Sequence, residues 1–271
     1  MSRQTHLTDP LSVAWLNHQA DEHTPPNTIS RRAATLRSVG NAGTASRDDI
    51  EEWWRLRRDK SPATRSNDLA TLRSFYRWCR RWEHRGDDPT ARLDAPKAPR
   101  GLPRPMTRHE IQHLLTPGTL PPDLRRAAAL GAYAGLRISE TARLRWSDID
   151  TDSRRIHVTR SKGGRSRTVT VSRVLIDLLG PDTGGSVVTG TGLDVAPDVL
   201  RRRLNRAMRA SGIDATSHRL RHTYGTLAYQ ATRDLVAVGR QLGHSSVVTT
   251  SVYAAAADET ADRIAEAVTL G

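Results

Sequence analysis

Near its end the chain reads His218-Arg219-Leu220-Arg221-His222, followed by Leu242-Gly243-His244 and an isolated Tyr253. His218 and Arg221 are three residues apart, so on a helix they share a face. An arginine can donate two parallel hydrogen bonds to a phosphate, and a histidine can donate or transfer a proton. For this fragment alone, a pair on a solvent-exposed face is the alternative.

The phenol of Tyr253 is a candidate nucleophile, with a packing tyrosine as the alternative. A phenol has a pKa of about 10, so it attacks phosphorus only when a base takes its proton and cations neutralise the phosphate. Each of the residues that could meet this requirement is a weak candidate when taken alone, but together they form a possible phosphate site: Arg137, Lys162, His218, Arg221 and His244.

Two members of this set lie further upstream. Arg137 belongs to Gly135-Leu136-Arg137-Ile138-Ser139-Glu140, where Glu140 is three residues away and can hold the guanidinium through a salt bridge. Lys162, one of three lysines, falls in Arg160-Ser161-Lys162-Gly163-Gly164-Arg165, whose glycines predict a hairpin turn. An ordinary surface ion pair and a solvated turn lysine are the alternatives.

The composition points to a polyanionic partner. The 271 residues carry a formal net charge of +13 and the pI is about 11.0, values typical of nucleic-acid binding. Basic residues are in excess in 51–100 and 201–250, whereas 251–271 is acidic. GC-rich coding explains why arginine outnumbers lysine, but it does not explain the excess of base over acid.

Other features exclude several kinds of site. Cys79 is the single cysteine, so an intrachain disulfide is impossible and a cysteine-based metal site is not expected. The longest apolar stretch, 127–136, is too short to span a bilayer, and no signal-peptide pattern begins the chain. We expect a soluble, cytoplasmic protein, nucleoid-associated in a bacterial host, with no membrane partner.

A linker over 95–106 is expected to separate two domains, because its four prolines disfavour helix. Residues 1–94 predict four helices: around Leu11–Leu16, over 29–36 with Thr28 or Asn27 as cap, from Ser46, and over 64–84. The apolar face of the last helix runs from Leu69 to Trp82 and is expected in the core. Its arginines are expected to contact DNA phosphates, with a solvated basic face as the alternative: Arg65, Arg73, Arg77, Arg80 and Arg81.

Residues 107–271 predict helices around a small antiparallel sheet. The expected helices are 107–115, 124–134, a short one from 137, 173–179, 196–211, 217–230, 233–242 and 258–270; the expected strands are 144–149, 155–159 and 168–171. Core anchors of the helix over 217–230 are expected to be Leu220, Tyr224 and Leu227. A second set of arginines is expected to meet phosphates: Arg201, Arg202, Arg203, Arg206 and Arg209.

The order and spacing of the motifs resemble those of the tyrosine recombinase (phage integrase) family: Arg137 in GLRISE, Lys162 in a hairpin, HRLRH at 218–222, LGH at 242–244, and Tyr253. The likeness runs from about Thr107 to Tyr253. More weakly, residues 1–94 resemble the family's helical, SAM-like core-binding domain. The resemblance implies a mainly α-helical fold with a small antiparallel β-sheet, in two domains that form a clamp around DNA.

The resemblance also implies a reaction without metal or cofactor. Tyr253 would attack the scissile phosphate, which leaves a 3′-phosphotyrosyl bond and a free 5′-hydroxyl. Arg137 and Arg221 would bind the non-bridging oxygens, and Lys162 would protonate the leaving 5′-oxygen.

The remaining residues of the motifs would have assisting roles. His218 would act as general base or proton shuttle, and His244 would hydrogen-bond the phosphate. Glu140 would support Arg137, and His222 would have a structural role.

The implied partners are double-stranded DNA core sites and a homotetramer on paired sites. The tail helix 258–270 is expected to hold the tetramer by packing on a neighbouring protomer, and docking on its own domain is the alternative. Because the helical domain is expected to begin near Leu7, we expect no arm-binding domain of the kind that some phage integrases carry, and we expect simple core sites. A directionality factor is a further candidate partner. Phage or mobile-element integration and excision is the favoured role. Xer-type chromosome or plasmid dimer resolution is the alternative; a topoisomerase-like activity and a non-catalytic DNA-binding relative are less favoured.

Overall fold

The computed structural model describes residues 9–96, 104–159 and 166–243. The chain divides into two compact units, residues 1–100 and 101–271. Within the described ranges, no helix combines the length and the apolar character needed to cross a membrane. The expected hairpin tip at 160–165 and the expected tail helix at 258–270 lie outside the described residues.

The first unit contains α1 (Pro10–Asp21), α2 (Pro26–Val39), α3 (Arg47–Leu56) and α4 (Pro62–Arg81). Three of these helices have a proline in the first turn, where the missing N–H costs no intrahelical bond. Ser46 begins α3 with a capping box, since its hydroxyl accepts from the N–H of Asp49 and its own N–H donates to the Asp49 carboxylate. The core includes Trp15, Leu36 and Phe75.

Three predictions for this unit are wrong. Neither Thr28 nor Asn27 caps α2, which begins at Pro26 after an extended Pro25. Helix α4 ends at Arg81 and not at residue 84, because the backbone turns into the left-handed region at Glu83, with φ 58°. Trp82 therefore follows the last helical residue, and it is 55% exposed instead of lying in the core.

The second unit contains α5 (Arg108–Leu115), α6 (Pro122–Ala134), α7 (Ile138–Thr141), α8 (Arg173–Leu179), α9 (Pro197–Ala210), α10 (Ser217–Thr232) and α11 (Leu235–Leu242). Strands β1 (Ile149–Asp150), β2 (Arg155–Val158) and β3 (Arg167–Thr170) form an antiparallel sheet in that order. Helix α6 is largely buried and packs closely on α10, because Gly131 has no Cβ to meet Leu220. The predicted class, mainly α with a small antiparallel sheet, is confirmed.

Two details of the second unit differ from expectation. The predicted strand 144–149 is mostly wrong: Trp146–Asp148 forms a 3₁₀ turn, and Leu144 pairs instead with the loop at Val187, whose N–H donates to its carbonyl at 3.0 Å. Met106, the last residue of the predicted linker, is buried in this core, and its N–H donates to the Thr223 hydroxyl at 2.8 Å.

Candidate active site

Helix α10 carries the histidines and the arginine of the HRLRH motif. Leu220 is 1% exposed and anchors the first turns of the helix in the core. Tyr224 packs on Val238 and Leu242 of α11. Leu227 is 51% exposed, so the prediction that it anchors this helix is wrong.

The guanidinium of Arg221 is buried and bonded to the backbone of two other segments. Its Nη1 donates to the carbonyl of Gly135 at 2.5 Å, and its Nη2 donates to the carbonyl of Leu242 at 2.7 Å. Hydrogen bonds from a charged donor are among the stronger ones in proteins. Arg221 is thereby fixed between the end of α6 and the end of α11.

Arg137 stands at the N-terminal cap position of α7, two residues beyond Gly135. Its backbone N–H and its Nη1 both donate to the Glu140 carboxylate, at 2.8 and 3.0 Å. Its Nη2 donates to the carbonyl of Gly243 at 3.3 Å. The side chain stays 37% exposed, so part of it remains accessible to a ligand.

Arg167, which lies on β3 opposite Val158, was not among the predicted site residues. Its Nη1 and Nη2 donate to the two oxygens of Glu140 at 2.8 and 2.9 Å, and its side chain is 10% exposed. The signal was available: residues two apart on a strand share a face, so Arg167 shares the face of Val169, a core position. A charge at a core-facing strand position requires a buried partner.

Glu140 is the acceptor at the centre of this cluster. Burial on its own would raise the pKa of the carboxyl group. Hydrogen bonds from the Arg167 side chain and the Arg137 backbone, with the positive charges of both arginines, outweigh burial and lower the pKa to about 2. Glu140 is therefore ionised throughout the neutral range.

A cavity of about 340 Å³ brings four of the predicted site residues together. Arg137, Arg201, His218 and Arg221 line it. Partial burial of its ring, followed by the charges of Arg221 and Arg137, lowers the pKa of His218 from its ordinary value. A neutral imidazole that lines the same cavity as two guanidiniums can accept a proton while the arginines neutralise an anion.

The ring of His222 packs edge-on against His218, with centroids 4.3 Å apart. Burial, then His218 and Arg221, lower the pKa of His222 to about 4. His222 is therefore neutral at pH 7. Lys162, His244 and Tyr253 lie outside the described residues. Across the described ranges, no group of three or more His, Cys, Asp or Glu side chains is placed to hold a metal ion.

The predicted DNA-contacting arginines of α4 fall into two groups. Arg77, Arg80 and Arg81 are exposed. Arg65 instead stacks on the ring of Trp54 at 4.3 Å, and Arg73 donates to the carbonyl of Leu93. The structure therefore engages Arg65 and Arg73 within the first unit.

The five arginines of α9 are all exposed, on a helix whose other side buries Leu200, Leu204 and Met208. Arg203 pairs with Asp123 at 2.7 Å. The exposed face is basic along the length of the helix, as a surface that meets a polyanion requires.

The sequence of this chain also matches those of known proteins. Residues 105–260 match the model of the phage integrase family. The chain belongs to this family. The tyrosine recombinase XerD of Xanthomonas axonopodis pv. citri is 34% identical over 226 residues, which is 74% of each chain.

Other similar proteins match over less of their own length or share only the fold. The tyrosine recombinase XerC of Xanthomonas campestris pv. campestris is 33% identical over 210 residues, 73% of this chain but 65% of that relative. This chain thus spans slightly less than two thirds of it. A lambda integrase fragment bound to DNA superposes with a TM-score of 0.76 at 19% identity, covering 93% of this chain and 97% of that one.

Proposed function

We propose that this protein is a site-specific DNA recombinase that cuts and rejoins DNA through a 3′-phosphotyrosyl intermediate. One observation carries the proposal. In a chain of the phage integrase family, Arg137, His218 and Arg221 line a single cavity and a buried Glu140 bonds to Arg137. This is the arrangement that a phosphate diester needs around it when a phenol attacks without a metal.

In the proposed reaction the Tyr253 oxygen attacks the scissile phosphorus as its proton passes to a base, with His218 as base or shuttle. Arg137 and Arg221 neutralise the non-bridging oxygens of the pentacoordinate transition state. The bond from phosphorus to the 5′-oxygen breaks, and Lys162 gives that oxygen a proton.

Rejoining reverses these steps on another strand. His244 hydrogen-bonds the phosphate, and His222 supports His218. The phosphotyrosyl ester conserves the energy of the broken diester, so the reaction needs no cofactor.

A suicide DNA substrate with a nick beside the scissile phosphate tests the chemistry. Cleavage releases a short fragment, religation fails, and a covalent protein–DNA adduct accumulates. We expect the adduct with the wild type and none with Tyr253→Phe, which keeps its DNA affinity. A wild type that binds its site but forms no adduct would instead identify a non-catalytic DNA-binding relative.

We further propose that residues 1–94 and 107–271 act as two DNA-binding domains that clamp a duplex, joined by the linker 95–106. The exposed arginines of α4 and of α9 supply the phosphate contacts. Expressing the two domains separately tests the clamp. Each is expected to bind core-site DNA weakly, and the joined chain more tightly because the second binding event is intramolecular.

The tail helix 258–270 is proposed to dock on a neighbouring protomer in a tetramer on paired sites. An apolar groove of about 640 Å³ between α5, α6 and α10, lined by Ile111, Tyr133 and Leu227, offers a receiving surface. Truncation after residue 257 should leave binding of one protomer unchanged and abolish paired-site complexes in a band-shift experiment. If paired-site complexes persist, the tail docks on its own domain.

The biological setting has two candidates. Integration and excision of a phage or mobile element requires two different attachment sites, whereas Xer-type resolution joins two copies of one site. The relatives named XerC and XerD favour resolution. Sequencing genomic DNA bound by Tyr253→Phe separates the two: an attachment repeat flanking the gene indicates integration, and one distant chromosomal site indicates resolution.

A further inference from the structure

Three arginines bond to consecutive carbonyls at the C-terminal end of α11. Arg167 Nε donates to Gln241 at 2.9 Å, Arg221 Nη2 to Leu242 at 2.7 Å, and Arg137 Nη2 to Gly243 at 3.3 Å. The last carbonyls of a helix have no intrahelical partner and form the negative end of its dipole. The end of α11 therefore fixes, and is fixed by, all three guanidiniums.

Glu140 contacts the same three arginines from the other side. It accepts both terminal nitrogens of Arg167, accepts Arg137 Nη1 at 3.0 Å, and lies 3.9 Å from Arg221 Nη1. One carboxylate thus faces three positive charges. The shortest and most symmetric of these contacts is the two-bond pair with Arg167.

Arg167 differs from the other two arginines in where it lies. Arg137 and Arg221 line the cavity, and among the described residues that do so Arg167 is absent. Its side chain is 10% exposed, and it reaches Glu140 and Gln241 from β3. Arg167 is therefore placed to act through these groups and not on a bound phosphate.

We infer that Arg167 is a positioning residue for the two phosphate-binding arginines, an inference that rests on the proposed function. By neutralising Glu140, it leaves the charges of Arg137 and Arg221 available to the phosphate. Arg167 bonds to Gln241 and to Glu140 at the same time. These bonds keep the end of α11 at the distance from α7 at which Arg137 and Arg221 line one cavity. Without it, the carboxylate attracts Arg221 Nη1 away from the carbonyl of Gly135.

The test measures single-turnover adduct formation on a nicked suicide substrate, DNA affinity and melting temperature. Arg167→Met is expected to slow adduct formation on the order of 100-fold, the effect of losing one aligned transition-state donor, while DNA affinity stays within a few-fold. Arg167→Lys, which keeps the charge but loses the two-bond geometry, is expected to fold and to lie between the wild type and Arg167→Met. The matched control is Arg155→Met, an exposed arginine on β2, with wild-type rates expected.

Two further measurements separate positioning from a purely structural role. In a methylphosphonate substrate one charged oxygen is replaced by a methyl group, so the arginines have less charge to neutralise; the deficit of Arg167→Met is expected to shrink on it. In a Glu140→Gln background, Arg167→Met should slow adduct formation little further, because both substitutions disrupt the same Arg167–Glu140 contact.

The outcomes separate the inference from the proposed function. A wild type without adduct refutes the function itself. If the wild type forms the adduct and Arg167→Met and Arg167→Lys match its rate, the inference alone is wrong. It is also wrong if binding and cleavage fall in parallel with equal deficits on both substrates, as they would for a DNA contact or a misfolded variant.

Discussion

The carbonyl of Gly135 accepts a hydrogen bond from Arg221 Nη1 at 2.5 Å, across 86 residues of sequence. Gly135 ends α6 in the left-handed conformation, with φ 63°. Two residues later the chain presents Arg137. The glycine of the GLRISE motif thus orients Arg221 through its carbonyl, and it starts the turn that leads to Arg137.

Replacing this glycine should therefore damage stability and catalysis together. In Gly135→Ala the added Cβ would lie 2.6 Å from the Tyr224 ring and 2.7 Å from Leu242, at a backbone angle that L-residues disfavour. We expect a loss of about 1 kcal/mol from the backbone and a further loss of about 1–3 kcal/mol from overpacking. Urea unfolding measures the total, and the suicide substrate should show slower adduct formation.

A matched glycine separates the two contributions. Gly212 also has a positive φ, 85°, but an added Cβ there meets no atom within 4 Å. Gly212→Ala should lose only the backbone part and retain wild-type cleavage. Equal losses at the two positions would show that packing of Tyr224 and Leu242 against Gly135 contributes nothing.

Acid should destabilise the second unit through Glu140. Its pKa in the folded protein, about 2, lies below the ordinary value of 4.5, so the unfolded chain binds a proton first as the pH falls. The stabilisation is complete above pH 4.5 and disappears as the pH falls through about 2; its size is at most about 3 kcal/mol. Urea unfolding at a series of pH values, for the wild type and for Glu140→Gln, measures this contribution. Between pH 4.5 and 2 the free energy of unfolding of the variant should depend less on pH than that of the wild type.

A different pH window reports on His222. Its pKa of about 4 in the folded protein lies below the ordinary value of 6.5. The unfolded chain therefore takes up this proton between pH 6.5 and 4, and stability falls as the pH falls through that range. His222→Gln should make the free energy of unfolding less dependent on pH between 6.5 and 4. Its pH dependence between 4.5 and 2, which Glu140 contributes, should stay unchanged. An unchanged slope between pH 6.5 and 4 would show that His222 is not held neutral by its surroundings.

Local spacing was enough to anticipate part of this site. His218 and Arg221 are separated by three residues on one helix, and so are Arg137 and Glu140 at the start of another, so helix geometry alone predicts that each pair is close. The lining of one cavity by Arg137, His218 and Arg221 joins segments about 80 residues apart. The family resemblance supplied that expectation, because spacing within one helix carries no information about the packing of two.

The wrong predictions arise where a residue's structure depends on contacts with distant parts of the chain, which the local sequence pattern does not reveal. The apolar periodicity of α4 continues to Trp82, but the helix ends one residue earlier. Leu144 has the pattern of a strand residue, yet its partner is the loop at Val187 and not a strand. Arg167 was not predicted because its partner, Glu140, is 27 residues away in the sequence. The one local sign was that Arg167 lies on the same strand face as the buried Val169.

The basic face of α9 makes a prediction about salt. The logarithm of the DNA-binding constant falls linearly with the logarithm of the salt concentration. Each phosphate contact that is lost makes this slope less steep by about 0.9. Arg202 is exposed opposite the buried face of α9, whereas Arg203 is already paired with Asp123 at 2.7 Å. In a Tyr253→Phe background, where binding is measured without cleavage, Arg202→Gln should weaken binding to all DNA sequences and lower the salt slope by about one contact. Arg203→Gln should have a smaller effect, because Asp123 already offsets its charge; an equal effect of both would mean that DNA displaces the Asp123 carboxylate from Arg203.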